Sequence, residues 1–481
     1  MSGSLGMVAA GHPMTAEAGA RVLREGGNAV DAAIAAMLTS WVAEPLYSGP
    51  GAGGYMLVAG AGEEATLLDF FVSSPGRGAA DVQPSELLPV VVSFGDADQI
   101  FNVGPASCGA YGNPAGIAAA HARWGTVPLS ELAAPAAKLA RDGVTMNDRQ
   151  SYVFDILGGI LVSTPEAQAL FAPGGRLLGE GDVLRMPELG DTIERLGRDG
   201  ADPFYNGDLA DAVVEWLAER GGMLTRDDLR AYEAVPREPV RARYRGRCVL
   251  TNPPPSAGGI LLALAMARLD ETPGPPTITE IVEVMELAQA ERTPEFLEGL
   301  SDPGFLERFL GARLGSTTHI SVLDGEGRAC SVTCTNGEGS GIVVPGTGIH
   351  VNNIMGEEDL SPLGFHRHPP GRRMPSMMAP TVVLGEDGVE LVVGSAGSNR
   401  IRSAILQTII GVVDHGLTAE EAVNAPRAHF EHGIVYAEPG IPLEELRAAG
   451  RTVAPFRALN LFFGGVQAVE RDAITGALSG A

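Results

Sequence analysis

Gly315-Ser316-Thr317-Thr318-His319-Ile320-Ser321 reads as a place where the chain cuts itself to expose a catalytic N-terminus. An internal threonine is a weak nucleophile with no base of its own. A threonine at a new N-terminus carries a free α-amino group beside its hydroxyl, and an amine of pKa about 7.7 to 8.0 keeps a useful neutral fraction near pH 7. One residue then supplies both nucleophile and general base. Downstream, residues 319–323 and 328–335 are strand-like and flank Asp324-Gly325-Glu326-Gly327, a hairpin signal. With a three-residue loop and Gly327 left-handed, residues pair when their numbers sum to 652, so Thr317 faces Thr335. Opposed residues share a sheet face with β-carbons about 4.5 to 5.5 Å apart, within reach of a hydroxyl–hydroxyl hydrogen bond. A four-residue loop instead opposes Thr317 to Cys334 and turns Thr335 away.

The chain around this hairpin has 481 residues, 45% hydrophobic and 19% charged, enough to bury a large core as up to about three domains or as one large layered domain. Its net charge of -25 argues against nucleic acid and anionic membrane surfaces as partners. Cys108, Cys248, Cys330 and Cys334 are too few for a disulfide framework, which fits a reducing compartment. No basic segment followed by an apolar run opens the sequence, and no apolar stretch reaches membrane-spanning length. The expected location is cytoplasmic.

Residues 16–24 and 29–43 read as two helices, the second apolar nearly all round and therefore buried. The glycine run at 49–54 lacks a following Gly-Lys-Ser or Gly-Lys-Thr and reads as close backbone packing, with strands at 55–58 and 66–71 beyond it. Residues 180–235 read as charged surface helices, with Asp227-Asp228 as a helix start. A rigid turn at 251–259 precedes an apolar helix at 260–269, and residues 270–315 read as a polar, proline-containing approach to the threonines.

With these residues in place the chain resembles the γ-glutamyltranspeptidase family over nearly its whole length. The matching segments are Gly26-Gly27-Asn28-Ala29-Val30-Asp31-Ala32-Ala33, Pro253-Pro254-Pro255-Ser256-Ala257-Gly258-Gly259, Thr317-Thr318-His319, Val351-Asn352-Asn353, Met378-Ala379-Pro380-Thr381 and Asn424-Ala425-Pro426-Arg427. The resemblance implies an α+β fold, the four-layer αββα sandwich of N-terminal nucleophile hydrolases. It implies self-cleavage between Ser316 and Thr317, with residues 1–316 and 317–481 as two segments of one domain. It further implies Thr317 as nucleophile, Thr335 as the hydroxyl that steadies it, Asn336 as a supporting side chain, and an oxyanion hole at Gly397, with Ser398 where the family has a second glycine. The expected partners are a small-molecule substrate and the chain's own second fragment. No cofactor or metal is expected.

The residues that hold a γ-glutamyl group in the family depart from its pattern. Its Phe-Arg-Glu strand, whose arginine clamps the substrate α-carboxylate, reads Phe70-Phe71-Val72 here. A phenyl ring cannot replace a bidentate, charge-assisted hydrogen bond. Ile354 replaces a polar contact to the substrate amine, and Glu357 stands near the usual aspartate. Ser376 keeps the first of two carboxylate-binding serines while Met377 replaces the second. The resemblance therefore implies an acyl-enzyme hydrolase acting on a flatter or more apolar donor than glutathione. The alternatives are hydrolytic C–C cleavage, as in family members from bacterial pathways to 4-alkylproline antibiotics, ordinary γ-glutamyl transfer, and an uncleaved binding protein. Arg372 and Arg373 read either as surface charges or as a replacement carboxylate site, and His366 and His368 as solvated, without a third metal ligand. His319 reads as a packing or hydrogen-bonding residue.

Overall fold

Two six-stranded sheets lie face to face with helices on both outer surfaces, in a computed structural model that describes residues 5–79, 83–93, 98–291, 300, 318–361 and 364–481. The sheet strands, in chain order, are β1 (Gly6–Ala10), β2 (Gly53–Gly60), β3 (Glu63–Phe70), β4 (Val235–Arg237), β5 (Val240–Tyr244) and β6 (Arg247–Thr251), then β7 (Thr318–Asp324), β8 (Arg328–Thr335), β9 (Thr381–Gly385), β10 (Gly388–Ala396), β11 (Gly465–Arg471) and β12 (Leu478–Gly480). The first sheet runs β1-β7-β8-β2-β3-β4 and the second β12-β11-β10-β9-β6-β5. Both sheets therefore draw strands from before and after Thr317, so the two halves of the sequence build one layered body.

Burial follows strand parity. Ile320, Val322, Cys330, Val332 and Cys334 pack in a cluster with the helix Ala29–Ala43, while Leu323 and Ala329 join the cluster between the sheets. That alternation is the pleat of a strand covered on both faces. The helices are α1 (Pro13–Arg24), α2 (Ala29–Ala43), and, against the second sheet, α3 (Gly258–Asp270) and α4 (Ile401–Val413). All fifteen residues of α2 are buried, and Asn28 caps it in a box with Asp31, whose carboxylate also accepts from the main chain of Thr126. The glycine run packs backbone on backbone: a β-carbon at Gly54 would stand 2.4 Å from the Thr333 carbonyl. At the expected helix start, Thr225 caps the helix Arg226–Arg230 in a box with Asp228.

The hairpin has the shorter loop. Every pair from Thr318↔Cys334 to Leu323↔Ala329 sums to 652, and Gly327 has φ of +86°. One expectation fails in the segment that leads to the threonines. Residues 278–290 form a helix, Ile278–Ala290, capped by Thr277 with Glu280, with Ile281, Val282, Val284, Met285 and Ala288 buried. Its apolar face docks where a polar connection was expected. Ser316 and Thr317 lie outside the described residues.

Candidate active site

The threonine end of the hairpin lies where the two sheets bring their strand ends together. At the far end, the hairpin turn meets the start of β10: a β-carbon on Gly60 would approach both the Gly327 carbonyl at 2.2 Å and Val389 at 2.9 Å. Nearer, the His319 ring fills the space over Gly394, 2.3 Å from where that residue's β-carbon would be. The end of β10 and the turn after it therefore sit beside Thr318 and Thr335. In that turn Gly397 has φ of +122°, a region that favours glycine, and its missing β-carbon would stand 2.6 Å from the Gly464 Cα. Ser398 follows at φ of +53°, left-handed although it carries a side chain. The turn is braced by Arg400, whose Nε donates to the Phe462 carbonyl at 2.8 Å, and it opens into α4.

Thr335, buried, pairs with Gly53, and its hydroxyl accepts from the Gly337 amide at 2.8 Å. Asn336 beside it is fully buried, donates from its amide to the Tyr47 carbonyl at 2.9 Å, and accepts at its carbonyl from Asn353 at 3.1 Å. The side-chain oxygen of Asn336 has no partner among the described residues. Gly337 packs against Asn353 and Glu357, whose Oε1 would be 2.6 Å from an added β-carbon. Thr335, Asn336, Ile354 and Glu357 thus come together across one turn. Ser376 enters from the other side, paired with Ser256; its hydroxyl accepts from the Met378 amide at 3.0 Å and its carbonyl takes the Ser256 hydroxyl at 3.0 Å.

Phe70 and Phe71 face opposite ways. Phe70 lies in the helix-side cluster, whereas Phe71 stacks on Tyr55 at 5.6 Å in the inter-sheet cluster that also holds Ile354 and Met377. All three replacement residues are at most 1% exposed. Arg373 is not free to take a carboxylate. Its guanidinium binds the Phe71 carbonyl at 2.5 Å, the Ser73 hydroxyl at 3.1 Å and the Glu233 carbonyl at 2.6 Å, and lies 3.3 Å from Asp69. Asp69, fully buried, is also bound by Arg237 at 2.7 Å. A cavity of about 230 Å³ beyond this cluster is lined by Ser73, Arg77, Asp228, Tyr232 and Arg237 among others.

His319 hydrogen-bonds Thr333 at 2.8 Å and Ser321 at 2.9 Å through its two ring nitrogens, and burial pushes its pKa down to about 3. It packs between the sheets, over Gly394, as a neutral ring. His368 bonds the Leu360 carbonyl at 3.1 Å, and no three His, Cys, Asp or Glu side chains converge as a metal site among the described residues. One acid at the site was missed by the sequence analysis. Glu44, just past α2 and half-buried, accepts from the hydroxyls of Thr15 at 2.8 Å and Thr318 at 3.2 Å, and desolvation of its carboxylate raises its pKa from 4.5 to about 7. The signal was a lone carboxylate ending an otherwise apolar run.

An αββα sandwich with this strand-end site is the architecture of the N-terminal nucleophile hydrolases. Within that class the chain belongs to the gamma-glutamyltranspeptidase family, whose profile it matches over residues 15–481. It is 31% identical over 480 residues to the glutathione hydrolase proenzyme of Escherichia coli (strain K12), covering 89% of this chain and 81% of that protein. It is 30% identical over 475 residues to the acylase ACY 1 proenzyme of Pseudomonas sp. (strain SE83), covering 92% and 85%. The crystal structure of cephalosporin acylase from Bacillus halodurans superimposes with a TM-score of 0.84 at 27% identity, over 100% of this chain and 94% of that one. The chain is thus a hydrolase- or acylase-type member of this family.

Proposed function

We propose that the protein is a self-cleaving acyl hydrolase whose nucleophile is Thr317 and whose substrate is not glutathione. In maturation the Thr317 hydroxyl attacks the Ser316 carbonyl, the acyl group passes from nitrogen to oxygen with release of the α-amine, and water hydrolyses the ester to free the Ser316 carboxylate and restore the hydroxyl. In turnover the amine takes the hydroxyl proton as the oxygen attacks a substrate carbonyl; the adduct collapses to an acyl-enzyme as the scissile bond breaks and the leaving amine takes that proton, and water then hydrolyses the ester to release the acid and restore the hydroxyl. Thr335 holds the nucleophile in the register of the hairpin. Asn336 offers a buried, unpartnered oxygen to the ammonium form of the amine. The amides of Gly397 and Ser398 stabilise the tetrahedral oxyanion, a contribution of about 3 to 4 kcal/mol for one such donor.

One observation carries the substrate assignment: the position of the carboxylate clamp is filled by Phe71, buried with Ile354 and Met377 in an apolar cluster, and the nearby Arg373 is already engaged by the Phe71 and Glu233 carbonyls, the Ser73 hydroxyl and Asp69. With the clamp position closed by apolar core, the site suits an acyl donor without a free α-carboxylate better than a zwitterionic glutamyl group. Intact-mass measurement should give two fragments meeting between Ser316 and Thr317, and Thr317→Ala a single chain. A panel of chromogenic anilides should show turnover of apolar acyl groups above that of the γ-glutamyl group. A single uncleaved chain in the wild type would sink the hydrolase assignment. Rapid γ-glutamyl turnover that is lost in Thr317→Ala would sink the substrate assignment alone. An activated ketone in the panel separates amide hydrolysis from C–C cleavage, which would use the same nucleophile and oxyanion donors.

A further inference from the structure

We propose that Glu44 is a positioning residue for self-cleavage and for the N-terminal nucleophile, acting through Thr318; this rests on the assignment of Thr317. The turn after α2 ties together three strands of the site. The Glu44 carboxyl receives Thr318 at the start of β7, the Tyr47 carbonyl receives the Asn336 amide at the end of β8, and the Pro45 carbonyl lies 3.3 Å from the His350 ring. Thr15 on α1 fixes the second carboxyl oxygen. Close approach is built in at Gly11, where a β-carbon would stand 2.4 Å from Glu44 Oε1 and 3.5 Å from the Thr318 hydroxyl.

Strand alternation puts Thr318 on the helix side and its neighbour on the site side, so Glu44 grips the chain from beneath the nucleophile. Among the described residues, the Glu44 carboxylate is held by two hydroxyls and paired with no Lys or Arg. Self-cleavage creates an amine on the very next residue, about one Cα–Cα step of 3.8 Å away along the chain. His12 on α1 and His350 have pKa values lowered by burial, and the pKa of Tyr47 is raised by burial together with Glu338, Glu44 and Tyr152.

The test follows cleavage of freshly synthesised precursor on denaturing gels, which needs no substrate, from about pH 5.5 to about pH 8.5 so that the profile brackets the Glu44 titration. Glu44→Ala, Thr318→Val and Gly11→Ala should slow cleavage at least about tenfold, as expected when a reacting group is misplaced. Glu44→Gln, which mimics the protonated acid, should match the wild-type rate at the acidic end and lose the wild-type change near pH 7. Circular dichroism confirms folding, and Glu44→Gln and Thr318→Val keep the test alive if Glu44→Ala does not fold. Wild-type rates and pH profile in these variants, with Thr317→Ala inert, would overturn the role of Glu44 alone. Cleavage by Thr317→Ala would overturn the nucleophile assignment instead.

Discussion

Restoring the family's arginine by Phe71→Arg should cost stability without creating a γ-glutamyl site. The Phe71 ring is 1% exposed and stacked on Tyr55, and losing its burial costs about 2 to 3 kcal/mol. The new guanidinium would enter an apolar cluster whose nearest carboxylate, Asp69, is already shared by Arg237 and Arg373. An uncompensated buried charge adds roughly 3 kcal/mol even after the long side chain relaxes toward polar surroundings. The total is on the order of 5 kcal/mol. A chain of 481 residues has an unfolding entropy of about 1 kcal/mol per kelvin, so Tm should fall by about 5 °C. Differential scanning calorimetry measures that shift, and a γ-glutamyl anilide assay should show no gain. An arginine variant with unchanged Tm that turns over the anilide rapidly would refute the reasoning, because the cluster would then be a vacant glutamate site.

Three further outcomes are expected. Asp69→Asn leaves Arg237 and Arg373 facing a neutral amide in a fully buried position, and should lower stability by about 3 to 5 kcal/mol, read by thermal melting. Gly397→Ala forces a β-carbon to 2.6 Å from Gly464 at φ of +122° and should abolish turnover, whereas Ser398→Gly, which relieves a left-handed serine, should preserve it and raise Tm slightly. Glu44 has a folded-state pKa raised by burial from 4.5 to about 7, so its contribution is fully present below about pH 4.5 and lost as pH rises through about 7. Relative to Glu44→Gln, the wild type should lose about 3 kcal/mol across that window, seen as a Tm difference that widens from acid to neutral pH.

Sequence pattern reached furthest where geometry is local. The loop Asp324-Gly325-Glu326-Gly327 defines two registers, and Gly327 in the left-handed region selects the one in which position 335 returns to the threonine end. The alternation that separates Phe70 from Phe71 was equally legible, because a strand's period is two. What escaped depended on distant partners. Residues 278–290 looked polar in sequence, yet their apolar residues recur at helical spacing and need α3 and Ala428, Val435 and Leu446 to bury them. The commitments of Arg373 to Asp69, the Phe71 carbonyl and Glu233 span up to 304 positions and carry no local signature. Glu44 was visible as an acid in an apolar run, but its meaning needed Thr318, 274 positions away.

The strand order has a consequence for maturation. β7 and β8 lie between β1 and β2 in the first sheet, and β9 pairs with β6 in the second, so the halves on either side of position 317 share both sheets and interleave in the first. A cut there needs no assembly step afterwards, and its rate should be independent of protein concentration. Nor can either piece depart without stripping hydrogen-bonded neighbours from its counterpart. Maturation in such a molecule is a one-way change of chain ends inside a finished fold, and the fragments stay together as a kinetic trap.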